Sequence, residues 1–162
     1  SLIEASERNP DLGFVGDVTA VNPAILERVM AEDLIPVVAT IGVDTDGQAY
    51  NINSDTVAAA LAGALRADRV MYLTDIDGLR SDVDDPGSQV SRLDVDALEA
   101  LIADGTISGG MIPKAQACID AIRAGVGSAH MVDGRVQHVL LLELFTDLGI
   151  GTMVLPAEET LP

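Results

Sequence analysis

The chain has 162 residues, enough for one domain of ordinary size with a real core. Apolar residues make up 48% and charged residues 22%, a globular balance, and with aromatics at 2% that core must come from Ala, Val, Leu and Ile. Nine Lys+Arg against 26 Asp+Glu leave a formal charge of −17, which excludes the basic footprint that nucleic acid or an anionic membrane surface requires.

In chain order, GFVGDVTAV (13–21) reads as a strand or hairpin. NPAILERVMAED follows as a helix, with Asn22 as cap, Pro23 at the first helical position and Ile25, Leu26, Val29 and Met30 on one face. LIPVVATIGV (34–43) reads as a buried strand, and Asp46-Gly47 marks a hairpin turn into YNI. A helix rich in small residues runs from Asp55 through Ala67, and its Ala and Gly positions allow close approach to a sheet. RVMYLTD (69–75) is a buried strand ending in polar groups. A long acidic loop, IDGLRSDVDDPGSQVSR, leads to the amphipathic helix DVDALEALIADG. TISGGM is a loop, IPKAQACIDAIRAGV a helix, SAHMVDG a short strand, HVLLLELFTDLG a helix ending near Gly149, and GTMVL a last strand. Strands alternating with helices of this length make a parallel-rich sheet with helices on both faces, mixed by the hairpin. Ligands in such sheets lie beyond the carboxyl ends of the strands.

One cysteine, Cys118, leaves no intrachain disulfide, which fits a reducing cytoplasm. Among apolar helix neighbours it reads as packing. No apolar run approaches a membrane span, and the start carries neither a signal-peptide pattern nor an initiator Met, so a piece cut from a longer protein is expected. Asp44, Asp46 and Gly47 lack the glycine position of a calcium loop, DVDDPG is a solvated loop, and two His and one Cys make no zinc site. No Ser-His-Asp arrangement is legible from spacing.

Three stretches carry chemistry. In SGGMIPK (108–114), Gly109 and Gly110 permit unusual backbone turns, Pro113 starts a helix, and the helix end plus Lys114 make a phosphate site; a flexible turn with a solvated lysine is the plainer alternative. In LTDIDG (73–78), Thr74 and Asp75 end a strand at the ligand edge, though a polar turn explains them equally. In YNINSD (50–55), Asp55 is suited to cap its helix, while Asn51 and Asn53, two apart on an extended chain, are more than a cap requires.

The succession VGDVTAVN, PVVATIG, YNINSD, LTDIDGL, SGGMIPK, AHMVDGR and HVLLLELFTDLGIGTMV closely resembles the acetylglutamate kinase branch of the amino-acid kinase family, over residues 11 to 154. The resemblance implies a three-layer α/β/α sandwich with a mainly parallel sheet plus a β-hairpin. It makes residues 1–162 one domain, the nucleotide-binding C-terminal half of a phosphotransferase that uses ATP with Mg²⁺ on the side-chain carboxylate of N-acetyl-L-glutamate in arginine biosynthesis. By the same resemblance Lys114 stabilises the transferring phosphoryl group, Asp55 organises the catalytic lysines and Asn51 contacts acetylglutamate. Thr74, Asp75, Gly78, Gly110 and Met111 surround the nucleotide. His130, Glu143 and Gly149 hold L-arginine as feedback inhibitor, against the plainer reading of a surface Glu and a C-cap Gly. Ser54 stands where the family often has Ala. The family's N-terminal lobe, with a Gly-rich loop, a second lysine, substrate contacts and the usual dimer interface, has no counterpart in these residues. The expectation is a half that is inert alone, drawn from a cytoplasmic homo-oligomer with no protein-bound metal. A glutamate or carbamate kinase, or a non-catalytic nucleotide- or arginine-sensing module, are the alternatives.

Overall fold

The computed structural model describes residues 1–82, 85–146 and 149–157. Its first sheet opens on a strand that the apolar pattern does not announce. β1 (Ile3–Glu7) buries Ile3 and Ala5 and pairs antiparallel with β2 (Gly16–Val21), across a short turn capped by Asn9. α1 (Ala24–Ala31) starts one residue later than expected: Pro23 holds the cap position with no side-chain cap bond, and Asn22 Oδ1 accepts from the Ala24 N–H at 3.2 Å in the turn that leads in. β3 (Ile41–Val43) and β4 (Ala49–Asn51) form the expected hairpin. Gly47 turns it with φ +84°, and the Asp44 carboxylate collects the N–H groups of Asp46 and Gln48 and the Tyr50 hydroxyl. The order is β2-β1-β3-β4, with β1 and β3 parallel.

Residues 34–43 are not one buried strand. Only 41–43 pair, while Ile35 and Val37 are 90% and 96% exposed and Val38 packs beneath them on the β1 core. Ile25 and Met30, on the apolar face expected of α1, are also exposed; only Leu26 is buried. Apolar patterning reports a need for an apolar neighbour, and nothing in the described residues supplies one here.

The second sheet carries the larger core. α2 (Ser54–Ala64) precedes β5 (Arg69–Thr74), and it ends three residues before Ala67, where Arg66 turns with φ +50°. The stretch read as one acidic loop contains a two-stranded ribbon, β6 (Leu79–Arg80) with β7 (Gln89–Val90), and then β8 (Arg92–Asp94); its residues 83 and 84, inside DVDDPG, lie outside the described residues. α3 (Val95–Ala103) is capped by Asp94, whose Oδ1 accepts from Ala97. α4 (Met111–Arg123), β9 (Ser128–Asp133), α5 (Val139–Phe145) and β10 (Thr152–Leu155) complete the chain. α5 stops short of Gly149, and residues 147 and 148 of the expected helix lie outside the described residues. The order is β5-β9-β10-β8; β9 runs parallel to β5 and antiparallel to β10, and β10 runs parallel to β8. The chain is thus a mixed α/β fold, with parallel pairings in both sheets.

β9 is the central buried strand, with Ala129, Met131 and Val132 fully enclosed. α4 lies on it through Ala115, Cys118, Ile119 and Ile122, and α3 adds Leu98. The small residues of α2 serve two contacts. α2 lies against β2 and β5, as expected, and it also packs closely on α4, where Ala59 and Ala62 share one core with the equally small Ala117 and Ala121 and let two helix backbones close together. Gly63 marks the tightest point, where an added Cβ would lie 2.5 Å from the Ala124 Cβ. Gly63→Ala gains helix propensity but must push α2 off α4. The expected net effect is a loss of about 1–3 kcal/mol, read from the urea unfolding midpoint. A midpoint equal to or above the parent's would show that the two helices tolerate separation.

Candidate functional site

Asn53, not Asp55, is the cap of α2. Its Oδ1 accepts from the N–H groups of Asp55 at 2.9 Å and Thr56 at 3.2 Å. An amide therefore does the capping, and the Asp55 carboxylate is left to turn sideways toward α4. There Lys114 Nζ donates to Asp55 Oδ2 at 3.3 Å, with the two side chains 27% and 25% exposed. Lys114 is the only lysine in the sequence. Cys118, one turn further along α4, is fully buried, and burial, with the Asp55 charge behind it, pushes its thiol up to about 12. It is packing, as expected, and not a nucleophile. Asn51 ends β4, exposed, its N–H donating to Phe14 O at 2.9 Å.

The start of α4 is an opened turn. Gly109 takes φ +58°, and the helix begins at Met111 rather than at Pro113. The Met111 and Ile112 N–H groups are not free, since they close on the Ser108 and Gly109 carbonyls, both at 3.3 Å. Bonds that long yield readily to a stronger anionic acceptor. Met111 and Lys114 are one turn apart, on one helix face.

Met111 lines a cavity of about 480 Å³ at the carboxyl ends of β5 and β9, the size range of a small-molecule site. Asp75, Gly78, Leu79, Ile107 and Arg135 line it as well. Thr74 and Gly110 do not. The Thr74 hydroxyl is spent on its own turn, accepting from the Ile76 N–H at 3.0 Å, and Gly110 sits at the α4 cap. Gly78 is needed for the wall itself: at φ +122° an added Cβ would stand 2.6 Å from Thr152 Oγ1. That fully buried hydroxyl accepts from the Leu79 N–H at 2.8 Å and donates to Val90 O at 2.6 Å, which seats the β6–β7 ribbon against β10. The Gln89 amide donates both to Asp77 O at 2.5 Å and to Ile150 O at 3.0 Å.

His130, Glu143 and Gly149 come together at the other end of β9. His130 Nδ1 and Glu143 Oε1 are 2.8 Å apart, and Ser128 Oγ is 3.0 Å from His130 Nε2. An imidazole protonated on Nδ1 donates to Glu143 and accepts from Ser128, satisfying all three buried groups. Glu143 Oε2 also accepts from Ile150 at 2.8 Å and Gly151 at 3.0 Å. Gly149 takes φ +64°, four residues beyond the end of α5, and a Cβ there would lie 2.6 Å from Glu143 Oε2. All four of these residues line a second, wider cavity of about 970 Å³. The Ser-His-Glu order resembles a hydrolytic relay, but Ser128 lies inside a strand ladder with its own N–H given to Asp68 O at 3.1 Å, so that N–H is not available as an oxyanion donor. Ser128, Thr152, Asp133 and Arg135 escaped the sequence reading. Only Ser128 had a signal, its spacing of two from His130 on a strand, which puts both on one face.

A profile of the amino acid kinase family matches residues 1–133. The chain is 53% identical over 153 residues to the acetylglutamate kinase of Moorella thermoacetica, covering 94% of this chain and 52% of that one. It is 47% identical to the acetylglutamate kinase of Gloeobacter violaceus, covering 98% and 54%. The chain thus spans about half the length of the relatives it matches. Among solved structures, smu.665 from Streptococcus mutans superposes with TM-score 0.77 at 27% identity, over 96% of this chain and 57% of that one. N-acetylglutamate synthase from Neisseria gonorrhoeae, complexed with coenzyme A and N-acetyl-glutamate, shares the fold with TM-score 0.85 at 22% identity, over 96% and 37%.

Burial pushes the Glu143 carboxyl up, but the His130 hydrogen bond and the Ile150 and Gly151 N–H groups outweigh it and hold the group below its ordinary 4.5. A carboxyl depressed by folding adds stability above its unfolded value and surrenders it as pH falls toward the folded one. Glu143→Gln is expected to lose about 3 kcal/mol in urea unfolding at pH 7, with a smaller gap from wild type at pH 4. A gap of equal size at both pH values would remove the ionised carboxylate from the account.

Proposed function

Because this chain belongs to the amino acid kinase family, we propose that it is the nucleotide-binding half of an ATP-dependent kinase acting on the side-chain carboxylate of N-acetyl-L-glutamate, in arginine biosynthesis. The observation that carries this reading is the pairing of Lys114 with Asp55 beside the cavity that Met111 lines. The base and ribose occupy that cavity, with Asp75 and Gly78 in its wall. The phosphates run along the first turn of α4, past Gly110, toward the Lys114 ammonium. Phosphoryl transfer asks the protein mostly for position and for positive charge on the equatorial oxygens. Lys114 supplies that charge, and Asp55 holds it in place. Asn51, four residues before Asp55, offers an amide to the acceptor. Magnesium supplies further charge neutralisation when bound with the nucleotide, and Asp75 and Asp77 are oxygen donors of the kind it accepts beside phosphate.

One ammonium serves two anions poorly. The reading therefore places the remaining cations, the acceptor's other contacts and a dimer interface in a further lobe. Exposed Ile25, Ile35 and Val37 support a covering partner on that side. The reading takes the enzyme to be cytoplasmic; none of the described helices is long and apolar enough to cross a membrane.

The second cavity is proposed as a regulatory site for L-arginine. Three of the lone-pair positions of Glu143 are occupied by His130, Ile150 and Gly151, so about one remains for a cationic ligand group. His130 and Gly149 then shape the site around Glu143.

Calorimetric titration with Mg-ADP tests the nucleotide half: wild type binds, and Lys114→Ala binds about tenfold more weakly or not at all. Equal affinity in both would remove SGGMIPK as the phosphate site. Incubated alone with Mg-ATP and N-acetyl-L-glutamate, the chain is expected to form no acyl phosphate trappable by hydroxylamine. Product formation would show that one lysine suffices.

A further inference from the structure

Asp133 ends β9 beside Thr74 of β5, and the Gly134 N–H donates to Thr74 O at 2.8 Å. This latch brings the chain back over its own carboxylate. The Arg135 backbone N–H and Nε both donate to Asp133 Oδ1, at 2.9 and 2.8 Å, and Nη2 donates to Oδ2 at 2.8 Å. The hydrogen bonds and charge of Arg135 hold the Asp133 carboxyl down at about 2. The partners differ sharply in exposure, 69% for the Arg135 side chain and 15% for Asp133, and both line the cavity. A guanidinium has five N–H groups in a rigid plane. Gripped along Nε and Nη2, it keeps three others, two on Nη1 and one on Nη2, along its outer edges. Asp133 thus fixes the plane and leaves an oriented donor edge at the cavity rim.

The local electrostatics call for such a donor. Asp75, Asp77 and Asp133 all line the cavity, in a chain of net charge −17. A phosphate passing the cavity rim toward the first turn of α4 would meet three carboxylates. The other guanidinium in the wall, Arg80, is engaged by Asp77 at 2.8 Å. Lys114 stands a full turn beyond Met111. The Asp133 hydrogen bonds and charge, with smaller contributions from the Asp75 and Asp77 charges, hold the guanidinium above its ordinary value. A two-residue staple serving the turn alone would satisfy Asp133 equally well, but it would not require the guanidinium to face the cavity.

We propose that Arg135 is a nucleotide-binding residue, donating its outer edge to a phosphate oxygen of the bound nucleotide, with Asp133 as the positioning residue that sets the fork. The proposal rests on the reading of this cavity as the nucleotide site. It is tested by titrating wild type, Arg135→Gln and Arg135→Lys with Mg-ADP and with adenosine, beside urea unfolding of each. Arg135→Gln is expected to weaken Mg-ADP about tenfold, to leave adenosine affinity unchanged and to lower the unfolding midpoint only slightly, by the loss of an exposed fork on Asp133. Arg135→Lys, a point charge without the fork, recovers part of the loss. Unchanged Mg-ADP affinity in Arg135→Gln, or equal loss for both ligands, overturns the phosphate assignment while wild-type binding leaves the nucleotide site standing. Absence of binding of either ligand by wild type overturns both.

Discussion

A single ion pair between two helix ends organises the site. Asp55 stands in the first turn of α2 and Lys114 in the first turn of α4, and they meet only because those helices pack at close range on Ala and Gly surfaces. In a chain with 26 acids and one lysine, an unguided ammonium would find carboxylates in many places. Asp55 gives it one. The division of labour inside NINSD makes that possible, since Asn53 satisfies the helix end with its amide and leaves the carboxylate uncommitted. Helix packing, capping and charge placement are one arrangement here, and a change in any of them moves the ammonium.

The two cavities are opposite ends of one strand. β9 presents Asp133 to the first and His130 with Ser128 to the second, and the strand between is fully enclosed. Each cavity has a wall that depends on one buried polar group. Thr152 holds the ribbon beside the first, and Glu143 holds the turn at Ile150 and Gly151 beside the second. Gln89 joins these walls, because its amide donates to Asp77 O on one side and Ile150 O on the other. The loops over the two cavities are therefore fastened to each other as well as to the sheet.

Most helices and strands were legible in the sequence because their apolar spacing is regular and some turns are explicit, as with Asp-Gly at 46–47. The failures have physical causes. Asn53 and Asp55 are both good caps by residue type, and only the geometry of the turn chooses between them. Residues 34–43 carry a strand's composition, yet composition does not say what will cover them. The site residues that were missed act across long sequence distances or through local turns. Thr152 meets Leu79 from 73 residues away, and the Arg135–Asp133 fork depends on a latch to β5. Family resemblance named Lys114, Asp55, Glu143 and His130 together; spacing alone could not have told that the last two touch.

The lone lysine has a practical corollary. Arginine supplies every other cation-bearing side chain apart from the two histidines, so the chain's side-chain amine chemistry is confined to one position. An amine-directed acylating reagent would find in Lys114 the one side-chain amine of these residues. The rate of that modification would then read how firmly Asp55 and any bound anion shield the ammonium, a covalent footprint of the site that needs neither turnover nor a reporter dye.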